Sequence, residues 1–510
     1  MKVILAGQNL DQSIVARFRA YLEQRAAAPP PPSSEHRSLR GLDPQSLSPE
    51  TLSAAYARIS RDPHPIPDLR AQAIADVTAA RKSNQRIIFG FGHASVAEHA
   101  VFNLDILDIS RIAMEALESS RLASYTEKSQ RYITLDRDYV VPEEVAAAGL
   151  ERQFRELVRK QQDHYQTAHE RLLALYQQKH PDQWEKRSGR RALEGAAKED
   201  ARYFLSLATT AQVGVTMNAR TLEATVRRLA ADPLQECRHL AEAIHAAVIE
   251  AAPSLVRYVE ASEYRRETPP AIEHWVCSRW PDNAPAEKES DSESRPAARL
   301  VFSTPNGDDM LLTALVAGSC GRSWADAEGW VASLDQDGRR ELVLESLRRL
   351  DEHATILRQF EIPEFTFELI ASASCFAQLK RHRLATLLPQ PYEPALGVTI
   401  PPAFREAGLL GEYRDVCAHA ESLAEQIRSR HRDAAAYILT NGHRRRVIFK
   451  ANARELYHLA RLRLDAHAQW DIRHLSEEMI GLARKALPLT MLMACGRDQF
   501  SEHRRRVLSS

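Results

Sequence analysis

Apolar residues recur at three- and four-residue spacing through residues 149–178, 191–208, 217–250 and 416–440, the period of amphipathic helices. Two shorter stretches carry the other period. Residues 101–109 alternate roughly apolar and polar, and residues 364–370 place Phe365, Phe367 and Leu369 on one side, as half-buried strands do. The opening residues 1–7 hold a brief apolar run that suits a buried first strand. Punctuation falls in two places. Residues 29–32 are all proline, followed by Ser and Arg, and read as a flexible surface loop. Residues 267–297, rich in Pro, Glu, Ser and Asp, read as an interdomain linker. The expectation is a helix-rich α/β (α+β) chain of two domains, 1–266 and 298–510.

The two domains read as copies of one another. His93-Ala94-Ser95-Val96 is echoed by His353-Ala354-Thr355-Ile356, each followed by a strand-like run and then a helix. Ser110 lies 11 residues before Arg121, and Ser372 lies 11 before Arg383. Asn218-Ala219-Arg220-Thr221-Leu222 recurs as Asn452-Ala453-Arg454-Glu455-Leu456. Matches in one order point to a tandem duplication.

One duplicated segment is damaged differently in each copy. The first reads Ser119-Ser120-Arg121-Leu122-Ala123-Ser124-Tyr125-Thr126-Glu127-Lys128-Ser129-Gln130-Arg131-Tyr132. The second begins Arg381-His382-Arg383-Leu384-Ala385-Thr386 and then runs into Pro389, Pro391 and Pro394. The first keeps a polar tail without the basic head, and the second keeps the head without the tail. Complementary losses fit one composite site between the repeats better than two independently decayed ones. The halves also differ in length: 97 residues lead from Arg121 to Asn218, against 69 from Arg383 to Asn452. The excess, near residues 153–199, reads as a helical insertion that caps or replaces the mirror site.

Composition narrows the function classes. Across 510 residues, Lys plus Arg equals Asp plus Glu at 68 each, so no global field recruits nucleic acid or a membrane surface. The six cysteines form no C-x-x-C pair and read as free thiols of a reducing, cytoplasmic compartment. The start lacks a secretory leader, and no apolar run reaches the 18 or so residues of a membrane span. His93, Glu98 and His99 lack a further ligand at suitable spacing, so no metal is expected.

The segment 124–132, the element 92–99 and the stretch 452–473 resemble the flavin-dependent thymidylate synthase family. Its signature runs Arg-His-Arg, two residues, Ser, one, Asn-Glu, one, Ser, one, Arg-Tyr. The first copy has Ser119, Ser120 and Thr126 where Arg, His and Asn belong; the second has Pro389, Pro391 and Glu393 where Glu, Ser and Arg belong. The resemblance implies two tandem copies of that family's fold, each a small sheet flanked by helices. It implies FAD, with NADPH and methylenetetrahydrofolate as co-substrates, and a nucleotide as the small-molecule substrate. Because the family's enzymes are homotetramers, two tandem chains are expected to form a homodimer that mimics the tetramer.

Carried over residue by residue, the resemblance implies a nucleotide site made of Glu127, Ser129, Arg131 and Arg202 from the first half. Gln378 and Arg381 join it from the second. Arg381, His382, Arg383, Asn452, Arg454 and His458, with Ser95, match the flavin contacts, and Arg463 matches the catalytic Arg that polarises the pyrimidine. The mirror site would have Ala116, Ser120, Ala436, Pro391 and Glu393 at corresponding places.

The residue types suit these tasks. A nucleoside monophosphate carries close to two negative charges, which forked guanidinium groups grip with charge-assisted hydrogen bonds. An Arg fixed near a uracil ring stabilises the anion that forms when C5 gains electron density. Each motif taken singly has a plainer reading. Gln378, Arg381 and His382 at i, i+3 and i+4 also describe a solvated helix face. Residues 129–132 could be a loop entering a strand, and residues 444–446 and 503–506 read as solvated runs or a frayed tail. The joint pattern favours methylation of dUMP to dTMP. Alternatives are a related modification of UMP or another pyrimidine nucleotide, or a non-catalytic flavin- or nucleotide-binding protein.

Overall fold

The computed structural model describes residues 1–27, 44–130, 138–280 and 297–509. The proline run at 29–32, Arg131 and Tyr132 lie outside the described residues, as does the latter part of the expected linker. Its earlier part, expected as linker, lies in a helix, Glu263–Cys277, which takes in Pro269 and Pro270.

Eight strands form two four-stranded antiparallel sheets. The first contains β1 (Lys2–Gln8), β2 (Val101–Ser110), β3 (Ala123–Glu127) and β4 (Thr210–Asn218), in the order β1-β2-β4-β3. The second contains β5 (Ala298–Ser303), β6 (Glu364–Ser372), β7 (Thr386–Tyr392) and β8 (Arg444–Asn452), in the order β5-β6-β8-β7. The topology is thus stated twice, as the repeated motifs predict. The alternating patterns at 101–109 and 364–370 become β2 and β6, inner strands with every second residue buried at their starts. The opening run becomes β1, an edge strand whose residues are exposed or half-buried, so the expected buried strand is corrected.

The duplicated Ser and Asn residues have a local structural cause. Ser110 accepts from the Ala113 N–H at 3.0 Å and Ser372 from the Cys375 N–H at 3.0 Å, capping the helices that leave β2 and β6. Asn218 and Asn452 do the same for the helices leaving β4 and β8, at 2.8 and 2.9 Å. Such caps contribute about 1 kcal/mol each. Each repeat therefore uses the same strand, cap and helix unit twice.

The helical periods hold with corrected ends. Residues 149–178 correspond to the helix Glu151–Lys179. The run at 217–250 divides into β4's last residues and the helices Ala219–Ala230 and Gln235–Ile249, because Pro233 cannot continue the first of these. The run at 416–440 divides into Leu410–Arg428 and a 3-10 turn, Arg432–Ile438. The insertion near 153–199 forms Glu151–Lys179 and Arg187–Ala201, and its Tyr165, Ala168, Leu172 and Ala197 pack with Phe404, Tyr413 and Val416 of the second half.

The halves share their interior. One core cluster joins Phe102, Leu117 and Val215 to Ile427, Tyr437 and Leu439. At the seam between them two equivalent segments of the chain run antiparallel: Leu207 N–H donates to the Leu439 carbonyl and Asn441 N–H to the Leu205 carbonyl, both at 2.9 Å. Each fully buried Leu or Phe on this seam contributes about 1.5–3 kcal/mol, which holds the repeats as one body.

Candidate functional site

The seam between repeats is where the charged motif residues meet. The helix Ala373–Leu379 ends at Lys380, so Arg381 and His382 lie in the turn beyond it; the expected shared helix face for Gln378, Arg381 and His382 is corrected. From this turn the Arg381 guanidinium donates to the Glu127 carboxylate at 2.8 Å, joining the second half to the first. Arg111, from the helix after β2, donates to the other Glu127 oxygen at 2.8 Å. Lys380 and Glu118, equivalent positions of the two repeats, pair at 2.5 Å.

The Glu127 side chain is only 7% exposed. Burial alone would push its carboxyl up, but Arg111, Lys380 and Arg381 together hold it well below the usual carboxylate range. It is therefore an anion fixed among three cations. Ser129 follows it, half-buried, in the irregular stretch after β3.

A second cluster fixes Arg463. Its Nε donates to His382 Nε2 at 3.1 Å, and its two Nη groups donate to the Gln378 side-chain and main-chain oxygens at 3.2 and 3.0 Å. His382, 1% exposed, faces Glu455 through Nδ1 at 3.0 Å. Because Nε2 accepts from Arg463, the ring must be neutral and carry its proton on Nδ1, donated to Glu455. Burial moves its pKa in the same direction, down. His458 lies edge-on to His382 with ring centroids 5.7 Å apart. The buried Nε2 of Gln378 has no hydrogen-bond partner among the described residues.

Arg202, from the first half, is buried in the short turn Arg202–Phe204. The next residue, Tyr203, donates its hydroxyl to Asp471 of the second half at 2.8 Å, and Ser372 donates to the same oxygen at 2.5 Å. The arrangement has a twin. Tyr437 of the second half donates to Glu236 of the first at 2.7 Å, and Ser110 donates to Glu236 at 2.6 Å. Each capping Ser thus holds an acid that receives a Tyr from the opposite repeat. The fields of Arg202 and Arg463 both reach the buried Cys375, whose thiol burial pushes well up.

Not every motif residue joins these clusters. Arg454 turns outward and donates to Glu361 at 2.5 Å and to the Ile356 carbonyl at 3.1 Å. Asn452 caps its helix through its side-chain oxygen. Ser95 is exposed in the turn Ala94–His99. Arg383 is exposed and donates to the Arg121 carbonyl at 3.3 Å. Sequence reasoning missed Arg111, Lys380, Glu455 and Asp471. Lys380 and Arg111 sit directly beside motif residues and Glu455 lies within the repeated Asn-Ala-Arg segment, so position could have found them; no match singled out Asp471. Residues 444–446, expected as a solvated run, begin β8, and the half-buried Arg445 pairs with Glu115 at 2.7 Å. Residues 503–506 lie within the helix Phe500–Ser509.

The corresponding positions of the mirror site enclose a cavity of about 510 Å³. Ala116, Ala436, Pro389 and Pro391 line it, with Phe376, Leu387 and Tyr392. None of residues 153–199 lines it, so the insertion neither caps nor replaces this mirror site.

Among the described residues, no group of three or more His, Cys, Asp or Glu is placed to hold a metal ion, and no helix is long and apolar enough to cross a membrane.

A duplicated helix-and-sheet unit with basic and acidic motifs meeting at the seam defines the class, and comparison gives the family. The family described as thymidylate synthase complementing protein matches residues 45–254 and 299–489, once in each half. The chain belongs to this family, that of the flavin-dependent thymidylate synthases. It is 29% identical over 215 residues to the flavin-dependent thymidylate synthase of Clostridium tetani, covering 41% of this chain and 82% of that one. A UPF0159 protein of Thermoplasma acidophilum is 22% identical over 480 residues, 86% of this chain and 92% of the relative, so the tandem length itself is shared. A UMP/dUMP methylase, PolB from Streptomyces cacaoi, solved with 5-Br dUMP, aligns at 19% identity with a TM-score of 0.32, over 39% of this chain and 95% of that one.

Proposed function

We propose that the chain methylates C5 of dUMP to give dTMP, using methylenetetrahydrofolate and NADPH, at one composite site between its repeats. The observation that carries this reading is the Arg381–Glu127 ion pair, which joins the surviving head of one motif copy to the surviving tail of the other.

The residues present fit a flavin dinucleotide. Arg383 is an exposed guanidinium that, among the described residues, donates to a neutral carbonyl and to no carboxylate, so it can take a pyrophosphate without first losing such a partner. The orphaned Gln378 amide is a buried donor waiting for an acceptor. Arg381, Arg383 and His458 would hold the cofactor, which supplies the redox step and carries the one-carbon unit when bound.

The protein's own part is binding and electrostatics. Arg202, with Ser129 and Arg131, would grip the nucleotide phosphate, while Tyr203 and Asp471 hold Arg202's turn in place. Glu127, kept anionic, holds the Arg381 guanidinium in place. Arg463 is locked by His382 and Gln378, so it can stabilise negative charge on the pyrimidine without reorganising during the reaction. Cys237, Cys375, Cys417 and Cys495 are buried with their thiols pushed up, and the exposed Cys277 and Cys320 lie outside the motif residues, so no cysteine nucleophile is assigned.

Two cytosolic chains paired as a homodimer complete this reading. The test is dUMP-stimulated NADPH oxidation with dTMP formed, by a purified protein showing flavin absorbance. Turnover of UMP in place of dUMP, or a colourless and inactive protein, would contradict it.

A further inference from the structure

We propose that the mirror cavity is a second small-molecule site, selective for a planar aromatic acid and closed to nucleotides. This goes beyond the proposed reaction and does not depend on it.

The cavity of about 510 Å³ is large enough for a drug-sized ligand. Its chemistry is inverted from that of its twin. Where the composite site has Gln378, Glu127, Ser129 and Arg202, the corresponding positions are Ala116, Pro389, Pro391 and Ala436. A nucleoside phosphate in the twin's pose would meet methyl groups and proline rings at each of these points. Held in that pose, its phosphate would lie against these groups without the Arg202 and Ser129 donors of the twin.

The walls are apolar and stiff. Tyr392 and Phe376 both face the Arg445 guanidinium, 4.2 and 4.8 Å from their ring centroids, and Glu115 anchors Arg445 at 2.7 Å while also accepting from the Tyr392 hydroxyl at 2.7 Å. Prolines cannot swing aside to close the space. A flat apolar body is the shape such a slot takes.

The charge at the cavity's edge selects an anion. Of the lining acids, Glu115, Glu118 and Glu393 pair with Arg445, Lys380 and Arg428. Asp232 accepts from the Leu234 N–H, and Asp433, from the other repeat than Arg121, belongs to the same lining. Arg121 faces the cavity with only the Thr386 hydroxyl as acceptor, at 3.1 Å, and no carboxylate pairs with it among the described residues. Arg383 also borders the cavity, and in the proposed reading the flavin holds it, so Arg121 carries the free charge here. A guanidinium without a carboxylate partner at the edge of a cavity favours an anion beside it. A ring bearing one acidic group satisfies both the slot and its edge.

The test uses 8-anilinonaphthalene-1-sulfonate, a planar aromatic monoanion, titrated by fluorescence into the full chain with saturating dUMP and FAD present. The expected result is one saturable site per chain. Arg121→Met, an exposed position, weakens it by about tenfold, the loss of one charge-assisted contact. Ala436→Trp, which fills the cavity, abolishes it. Both variants keep wild-type dUMP binding. The proposal is overturned if no saturable site exists, if neither variant changes the affinity, or if dUMP or FAD displaces the probe. Failure of the methylation reading would leave the probe titration unchanged, so the two outcomes are separable.

Discussion

The Glu127 carboxylate and the Arg381 guanidinium, from opposite repeats, lie 2.8 Å apart, with the acid 7% exposed and the base 55% exposed. The buried partner carries the energetic weight. Removing its charge leaves the buried Arg111 without its hydrogen-bonded anion, whereas removing Arg381 leaves Glu127 still held by Arg111. Glu127→Gln should cost about 3 kcal/mol in urea unfolding and Arg381→Met under about 1. Equal costs would contradict the network.

The same carboxyl sets an acid limit. Its folded pKa is depressed, so its contribution is fully present above the ordinary Glu pKa of about 4.3 and is lost as the pH falls below that. Wild-type stability should drop more steeply than that of Glu127→Gln between about pH 4.5 and 3. Parallel curves would exclude Glu127 as the source.

His382 should be neutral with its proton on Nδ1. Its folded pKa is lowered, so its contribution is present above the ordinary His pKa of about 6.5 and is lost as the pH falls through that value. Long-range ¹H–¹⁵N spectra at pH 7.5 read the tautomer directly. A proton on Nε2 would contradict the Arg463 contact.

The two tyrosine latches should separate stability from binding. Tyr437→Phe and Tyr203→Phe each remove a hydroxyl from a buried acid and should each cost about 1–3 kcal/mol. Only Tyr203→Phe should also weaken dUMP, because its neighbour is Arg202, whereas Tyr437 follows Ala436. Calorimetric titration of both variants decides this.

Arg463→Lys keeps a charge but loses the fork that binds His382 and Gln378 together. The turnover number should fall by about 10²–10³ with flavin still bound. An unchanged turnover number would remove Arg463 from the chemistry.

Much of this fold is readable in the sequence where the causes are local. The 3.6-residue period gave the helix Glu151–Lys179, and the alternation at 101–109 gave β2. The edge strand β1 was misjudged because a short apolar run does not say which neighbours will cover it. Strands β4 and β8 went unread because β4 adjoins a strong helical period and β8 opens on Arg444, Arg445 and Arg446. Those arginines are held by tertiary partners, as Arg445 is by Glu115, and no local rule shows that. Motif matching found Arg381, Glu127 and Arg463, but Arg111 and Asp471 act only through contacts made after folding.

The central claim is that one nucleotide site per chain is assembled from both repeats. Calorimetric titration of dUMP into flavin-loaded protein measures it. The account predicts one dUMP per chain, with binding lost in both Arg202→Ala of the first half and Arg463→Ala of the second. Two dUMP per chain, or binding that survives either substitution, would contradict it.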